Sequence, residues 1–186
     1  MMLAERDLLQ AWRRSLIRFE PDISQDQIGL SSIDLRLGCR FTRQKAQKAV
    51  VIRPAHDFDP SDQVENFAGD PGETVQLKPR QFLLAQTLEK VFVPPRFAAH
   101  VNGKSSLARA GLAVHITAPH IHPGFEGPIT LELFNHGEWE LEFFAGQDAV
   151  CRIVFWEVKT PPKLKAIKVL GTYHDQQVPY PSRKKR

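Results

Sequence analysis

Hydrophobic and polar residues alternate along most of this chain, a pattern typical of β-strands that bury one face. Only the beginning differs, because Leu8, Leu9 and Trp12 stand among charged residues and predict a short amphipathic helix over residues 4–14. The strands are predicted at residues 32–37, 50–52, 73–77, 81–87, 90–93, 99–102, 112–116, 129–134, 139–144 and 149–158. Many short strands separated by Gly and Pro predict a mainly β chain, folded as an antiparallel barrel or sandwich.

Two segments lack this alternation and are predicted to lie on the surface. Residues 56–72 are acidic, contain Gly and Pro and have few strand formers, so we expect a loop. The C-terminal residues 171–186 are expected to be mobile unless a ligand orders them. A length of 186 residues with 42% hydrophobic content is enough for one sizeable core, which predicts a single domain over residues 1–186.

The net charge of +4 changes this picture little, because the basic run at residues 183–186 supplies the excess. Aromatic residues are not interleaved with basic ones, which argues against nucleic-acid binding, whereas a basic balance suits a small polyanionic substrate.

No apolar run reaches the length of a membrane span and the first 18 residues are too charged for a signal peptide, so we expect a soluble, cytoplasmic protein. Cys39 and Cys151 lie far apart in strand-like runs, which favours buried reduced thiols.

Chemically active residue types concentrate between residues 103 and 132. Lys104, Ser105 and Ser106 open this stretch on a short turn that offers backbone N–H groups, two hydroxyls and a cation. These groups hold phosphate oxygens in many nucleotide sites. If a helical turn follows, Arg109 shares a face with Ser105 and can address the same ligand.

Glu132 closes the stretch, after a strand predicted at residues 113–118 and a turn at 119–127. Alternation along its own strand places Thr130 and Glu132 on one face. A carboxylate on such a face, if buried, needs a partner, and Arg109 is the predicted one. Glu132 is therefore either a catalytic carboxylate or one half of a structural ion pair.

Four motifs follow one another in an ungapped block over residues 103–135: G-K-S-S-L-A-R-A-G-L, H-I-T-A, P-G-F-E-G and I-T-L-E. This block resembles the dCTP deaminase branch of the dUTPase superfamily. The S-I-D-L-R-L-G run at residues 32–38 resembles an N-terminal strand of that family, and Y-H-D-Q at residues 173–176 resembles its closing tail. The resemblance implies a distorted antiparallel β-barrel of the dUTPase type, similar to a jelly roll, and a homotrimer.

The resemblance also implies roles for individual residues. Glu132 would be the carboxylate that carries protons during hydrolytic deamination of cytosine, and Ser105 and Arg109 would position the water and the carboxylate. Ala118 would offer its backbone polar groups to the base. On spacing alone, a helix N-cap is the better interpretation of Ser105.

Other residues are implied as substrate contacts. Lys104 and Ser106 would hold phosphates, and the alternative for Lys104 is a solvated surface lysine. Thr130 and Leu131 would contact the edge of the base, against the alternative of ordinary strand packing. Gln176 matches the glutamine of the closing tail and would reach the phosphates.

Two positions depart from the family pattern. Arg152 lies near a family glutamine on its strand, in a register that an apparent upstream insertion disturbs. His122 stands in the turn H-I-H-P-G-F where the family's commonest residue is Asp. A neutral imidazole can bond a deoxyribose hydroxyl but is no anionic acceptor near neutral pH, so we predict that the chain stops at dUTP. The alternative is that His120 and His122 are exposed turn residues without function.

Together these expectations describe an enzyme that converts dCTP to dUTP and ammonia and so supplies dUTP for dTTP synthesis. Mg²⁺ would arrive with the triphosphate. No zinc is expected, because the chain has no His-x-Glu followed by Pro-Cys-x-x-Cys, and a site made of His115, His120 and His122 is less favoured. A dTTP feedback inhibitor is a further candidate ligand. The alternatives are a dUTPase-type pyrophosphatase, a bifunctional deaminase and pyrophosphatase, or a catalytically silent nucleotide-binding relative.

Overall fold

The computed structural model describes residues 1–45, 61–163, 176 and 178–179. Within these ranges the helices are α1 (Glu5–Arg13) and α2 (Ser105–Arg109). The strands, in chain order, are β1 (Arg18–Glu20), β2 (Ile33–Gln44), β3 (Val64–Ala68), β4 (Thr74–Leu77), β5 (Phe82–Phe92), β6 (Phe97–Gly103), β7 (Leu112–Ala113), β8 (His120–Ile121), β9 (Glu126–Asn135), β10 (Leu141–Phe144) and β11 (Ala149–Glu157).

Most of these strands belong to one antiparallel sheet that curls into a half-barrel. Its strands follow the order β7-β9-β5-β2-β11-β6-β8, with β1 paired to β5 and β3 paired to β2. Strands β10 and β4 pair in a separate antiparallel sheet. The prediction of a mainly β, antiparallel architecture is thereby confirmed.

The core lies on one side of the curled sheet and follows from the alternation in the sequence. On β9, Leu131 and Leu133 are fully buried while Glu132 between them is partly exposed. Helix α1 adds Leu8 and Ala11 to the same core. Its first turn is acidic and its last turn basic, which suits the helix dipole.

Several elements of the structure differ from the predicted ones, and pairing between strands distant in sequence is the common reason. The loop predicted over residues 56–72 is wrong in part, because β3 lies within it and pairs along β2, where Phe67 stacks on Phe41 with ring centroids 5.2 Å apart. The predicted turn at 119–127 contains β8, which pairs with β6. Residues 81–87 and 90–93 join into the single strand β5, with a register shift between Gln86 and Lys90.

The strand predicted over residues 112–116 and onward to 118 is also wrong, because it ends at Ala113. Beyond that residue the backbone leaves the regular ladder. The Val114 carbonyl still accepts from the backbone N–H of Glu132, but the N–H of Ile116 donates to the Glu132 side chain. The predicted strand at 50–52 lies outside the described residues, as does most of the tail at 171–186. Cys39 and Cys151 are both free thiols, as predicted, but only Cys151 is buried and Cys39 is partly exposed. Burial raises the pKa of the Cys151 thiol well above its ordinary value. Among the described helices, none is long and apolar enough to cross a membrane.

Candidate active site

Glu132 presents its carboxylate from the outer face of β9, and the chain that follows β7 holds it there. The backbone N–H of Glu132 donates to the carbonyl oxygen of Val114 at 2.9 Å. Its side-chain Oε2 accepts a hydrogen bond from the backbone N–H of Ile116 at 2.7 Å. Because that donor is fixed in the backbone, the carboxylate has a defined orientation and keeps its second oxygen for another partner.

A close backbone contact joins helix α2 to the end of β9. Gly111, just after the helix, accepts a hydrogen bond from His136 N–H at 2.8 Å. The side chain of buried Asn135 accepts from Gly137 N–H at 2.9 Å and donates to the carbonyls of Leu77 and Trp139. These bonds set the position of α2 relative to the strand that carries the carboxylate.

Helix α2 presents Ser105, Ser106 and Arg109 to solvent. The residue that precedes its first turn is Lys104, without a side-chain cap, so the interpretation of Ser105 as an N-cap is wrong: the helix begins at Ser105 itself. The predicted ion pair between Arg109 and Glu132 does not form within a single chain, over residues 1–45 and 61–163. The carboxylate is satisfied by a backbone N–H instead.

Lys104 does not stand alone in solvent, because it pairs with Asp34 of β2, which also faces Arg152 of the neighbouring strand β11. The Nζ atom of Lys104 donates to Oδ2 of Asp34, and Nη2 of Arg152 lies 3.4 Å from Oδ1 of the same carboxylate. All three side chains are only partly exposed. Sequence reasoning gave Lys104 as a phosphate contact and Arg152 as a substrate contact near a family glutamine, and it missed Asp34, although Asp34 lies in the S-I-D-L-R-L-G run.

The described tail residues lie on the same outer face as Glu132. The carbonyl of Gln176 accepts a hydrogen bond from Gln86 Nε2 at 2.7 Å, and Gln86 is the cross-strand neighbour of Thr130. The carbonyl of Pro179 accepts from the hydroxyl of Thr42. Sequence reasoning missed Gln86 and Thr42, because only the docked tail distinguishes them from ordinary strand residues.

Thr42 belongs to the same row of the sheet as Glu132. Both residues pair across the strands with Leu84, Thr42 from β2 and Glu132 from β9. Cross-strand pairs point to one face of a sheet. Gln176 and Pro179 therefore lie against the face that presents the carboxylate.

The other predicted base contacts differ in how accessible they are. Thr130 is partly exposed on the face of Glu132, and Ala118 is exposed in the segment after β7. Leu131 is fully buried, so its side chain faces the core and cannot touch a base.

Three imidazoles cluster around the turn that carries His122. His100 on β6 and His120 on β8 are cross-strand neighbours, with Nε2 of the first 3.1 Å from Nδ1 of the second. The rings of His120 and His122 meet edge to face at 4.7 Å between centroids. Partial burial, and then the neighbouring His122 and His100, lower the pKa of His120 below its ordinary value.

Three buried side-chain nitrogens have no hydrogen-bond partner in the part of the chain that the structure describes. They are Nδ1 of His115, Nε of Arg152 and Nε2 of Gln176. Buried polar atoms are nearly always bonded in folded proteins, so each unpaired nitrogen indicates a partner that belongs to a ligand or to water. For Nε of Arg152 and Nε2 of Gln176 that partner is an acceptor, because both atoms are donors. Over the described residues, no group of three or more His, Cys, Asp or Glu side chains is arranged to hold a metal ion.

Comparison with known proteins identifies the family of this chain. A family model described as "dCTP deaminase-like" matches residues 2–158. The "dCTP deaminase, dUMP-forming" of Dictyoglomus thermophilum is 36% identical over 185 residues, which cover 98% of this chain and 94% of that protein. A protein of the same name from Methanobrevibacter smithii is 36% identical over 88% of this chain and 84% of its own length. The "dCTP deaminase" of Halorubrum lacusprofundi is 35% identical over 98% of this chain and 91% of its own length.

The fold has a counterpart among solved structures. The 2′-deoxycytidine 5′-triphosphate deaminase of Agrobacterium tumefaciens superposes with a TM-score of 0.65 and 20% identity over 92% of this chain. This chain spans 50% of that protein, and the likeness confirms the fold that the resemblance implied. The extent of the family match and the identity to whole relatives show that the chain belongs to the dCTP deaminase-like family.

Proposed function

We propose that this chain catalyses the hydrolytic deamination of dCTP. The observation that carries the proposal is the Glu132 carboxylate, held by the Ile116 N–H on a sheet face that Gln176 and Pro179 also contact. The curated relatives that match over nearly their whole length are named dCTP deaminases, which supports the same substrate.

The reaction replaces the exocyclic amine of cytosine with an oxygen from water. Water attacks C4 of the base, and Glu132 accepts its proton through the oxygen that Ile116 leaves available. The same carboxyl group then returns the proton to the departing amine, so that dCTP and water give dUTP and ammonia. One fixed carboxylate can perform both transfers, because the attacking and leaving groups share one carbon.

The triphosphate would lie against the cations near the start of α2. Lys104 and Arg152 both carry donors on this surface, and Ser106 is exposed beside them. Mg²⁺ would arrive on the phosphate oxygens with most of its waters retained. Gln176 has an unpaired Nε2 and is placed by Gln86, so it is the tail residue suited to close over the nucleotide.

We also propose that the active enzyme is a homotrimer in which neighbouring copies share each site. Within the described residues of one chain Arg109 has no ion pair with Glu132, although both belong to the family block. A neighbouring copy that supplies α2 would bring the guanidinium to the carboxylate. Such a contact uses different surfaces on the two copies and closes into a ring. Feedback by dTTP would act on the same nucleotide site.

A second candidate is a bifunctional enzyme that continues from dUTP to dUMP and pyrophosphate. Relatives from Dictyoglomus thermophilum and Methanobrevibacter smithii are named dUMP-forming, which favours it. Against it stands His122, because an imidazole without charge cannot replace an anionic acceptor for the attacking water. On this ground we propose dUTP as the main product.

The test is a product analysis of the purified protein with dCTP and Mg²⁺. Ammonia should appear in equal amount to dUTP, with little dUMP or pyrophosphate. A Glu132→Gln preparation, purified in parallel, reports any contaminating dUTPase when dUTP is supplied. Unchanged dCTP would overturn the proposed function, and dUMP with pyrophosphate as main products would replace it by the bifunctional one.

A further inference from the structure

The cluster of Asp34, Lys104 and Arg152 has a geometry that the proposed deamination does not by itself explain. Strand β11 lies between β2 and β6, and Arg152 on it pairs directly with Asp34 on one side and Asn102 on the other. Cross-strand pairs point to one face, so these side chains form a row across three strands. Lys104 lies two residues beyond Asn102 and reaches back to Asp34.

Each oxygen of the Asp34 carboxylate faces a different cation. Oδ2 accepts from Lys104, and Oδ1 faces Nη2 of Arg152 at 3.4 Å. The guanidinium of Arg36, two residues further along β2, is bonded to buried Glu89 at 2.7 Å instead. Because both oxygens of Asp34 are occupied by cations, this carboxylate is poorly placed to bind a magnesium ion as well.

Both cations retain donors that Asp34 does not use. A lysine ammonium has three N–H donors and a guanidinium has five. Nε of Arg152 is buried without an acceptor in the described part of the chain, although the end of the guanidinium is tied to Asp34. A buried donor without a partner indicates a missing acceptor, and phosphate oxygens are acceptors that suit both cations.

We infer that Asp34 is a positioning residue that holds Lys104 and Arg152 as a preformed clamp for the triphosphate. Two cations side by side would repel each other in the absence of substrate, and each has a long side chain with many rotamers. The carboxylate between them removes both problems, since it offsets the repulsion and restricts the rotamers before the nucleotide arrives. The inference rests on the proposed function, because it takes the phosphates of the nucleotide as the ligand of the clamp.

The experiment measures binding of inorganic tripolyphosphate by calorimetry to the wild-type protein, Asp34→Asn, Arg152→Gln and the double variant. Tripolyphosphate has no base, so binding does not depend on deamination and survives if the proposed reaction is wrong. Glu157→Gln is the matched control, because it also converts a carboxylate to an amide and breaks an ion pair, with Arg96 at 2.7 Å, on the same strand β11.

We expect Asp34→Asn to weaken tripolyphosphate binding by about five- to thirtyfold, because the cations lose their common anchor. The double variant should lose less than the sum of the two single losses, since after Arg152→Gln the Asp34 carboxylate positions only Lys104. With dCTP, KM should rise by more than kcat falls, which a general loss of structure would not produce. Glu157→Gln should stay within twofold of the wild-type protein.

Other results would contradict the role inferred for Asp34. Tighter binding by Asp34→Asn would mean that the carboxylate competes with phosphate, and unchanged binding would mean that the ion pairs are incidental. Additive losses in the double variant, or no measurable binding of tripolyphosphate to the wild-type protein, would also overturn the inference. If Asp34→Asn does not fold, Arg152→Gln against Glu157→Gln still decides whether this cluster binds phosphate.

Discussion

Replacing Gly111 by Ala tests the contact that positions α2 against β9. Gly111 has a φ angle of +104°, which side chains of L-residues rarely adopt. A Cβ atom there would lie 2.4 Å from the backbone nitrogen of Gly137 and 2.7 Å from its Cα. Neither atom belongs to a flexible side chain, so the two segments must separate to make room.

The cost of this substitution has two parts. The strained backbone conformation costs about 1–3 kcal/mol for a residue with a Cβ. Overpacking against fixed atoms adds about 1–3 kcal/mol. We therefore expect the free energy of unfolding to fall by about 2–6 kcal/mol, and Tm by about 5 °C or more, since 1 kcal/mol shifts Tm by about 2–4 °C at this chain length.

The measurement is a thermal melt of the Gly111→Ala protein by calorimetry, compared with Gly29→Ala. A Cβ at Gly29 would meet only the carbonyl oxygen of Ser32 at 3.5 Å and its hydroxyl at 3.7 Å, which are ordinary contacts. The control should therefore melt within about 2 °C of the wild-type protein. The reasoning is refuted if Gly111→Ala has the same Tm as the control. The backbone at Gly111 and Gly137 would then separate without loss of stability.

Three further predictions concern the chemistry. Glu132→Gln keeps the shape of the side chain but removes the proton acceptor, so kcat should fall by about 10² to 10⁴ while dCTP still binds; near-normal turnover would move the base elsewhere. Mixing that variant with Arg109→Ala under subunit exchange should restore about a quarter of the wild-type rate, because half of the copies then carry an intact Glu132 and half of their neighbours an intact Arg109. No recovery would show that each chain forms its own site. Stringent zinc removal with Mg²⁺ kept saturating should leave deamination unchanged; loss that only zinc restores would contradict the prediction.

Local pattern was sufficient to predict the parts of the site that lie close together in sequence. Alternation alone placed Glu132 and Thr130 on one face of a strand, because the inward neighbours Leu131 and Leu133 are apolar. The short helix after Lys104 was predicted within one residue of its observed start. The family motifs added the roles, which the residue pattern by itself left open.

The missed parts depend on pairing between distant segments. Asp34 joins Lys104 and Arg152 only because β2, β11 and β6 are neighbours in the sheet. Strand β3 pairs along β2, although Glu65, Asn66 and Ala68 are poor strand formers. No periodicity within one segment contains this information.

The prediction of a strand at residues 112–118 is wrong for the same reason, and the irregular backbone found beyond Ala113 sets the orientation of the Glu132 carboxylate. Had the strand continued beyond Ala113 in the same register, Ile116 would have faced Leu131 at a non-hydrogen-bonded position, and its N–H would have pointed away from β9. Because the chain leaves the ladder, only the Val114 carbonyl still bonds the backbone of β9, and the N–H of Ile116 meets the side chain of Glu132. An alternating sequence predicts a regular strand at such a place, whereas the site requires an irregular one. The interrupted ladder therefore directs the N–H of Ile116 to the Glu132 carboxylate, whereas a regular strand would have directed it elsewhere.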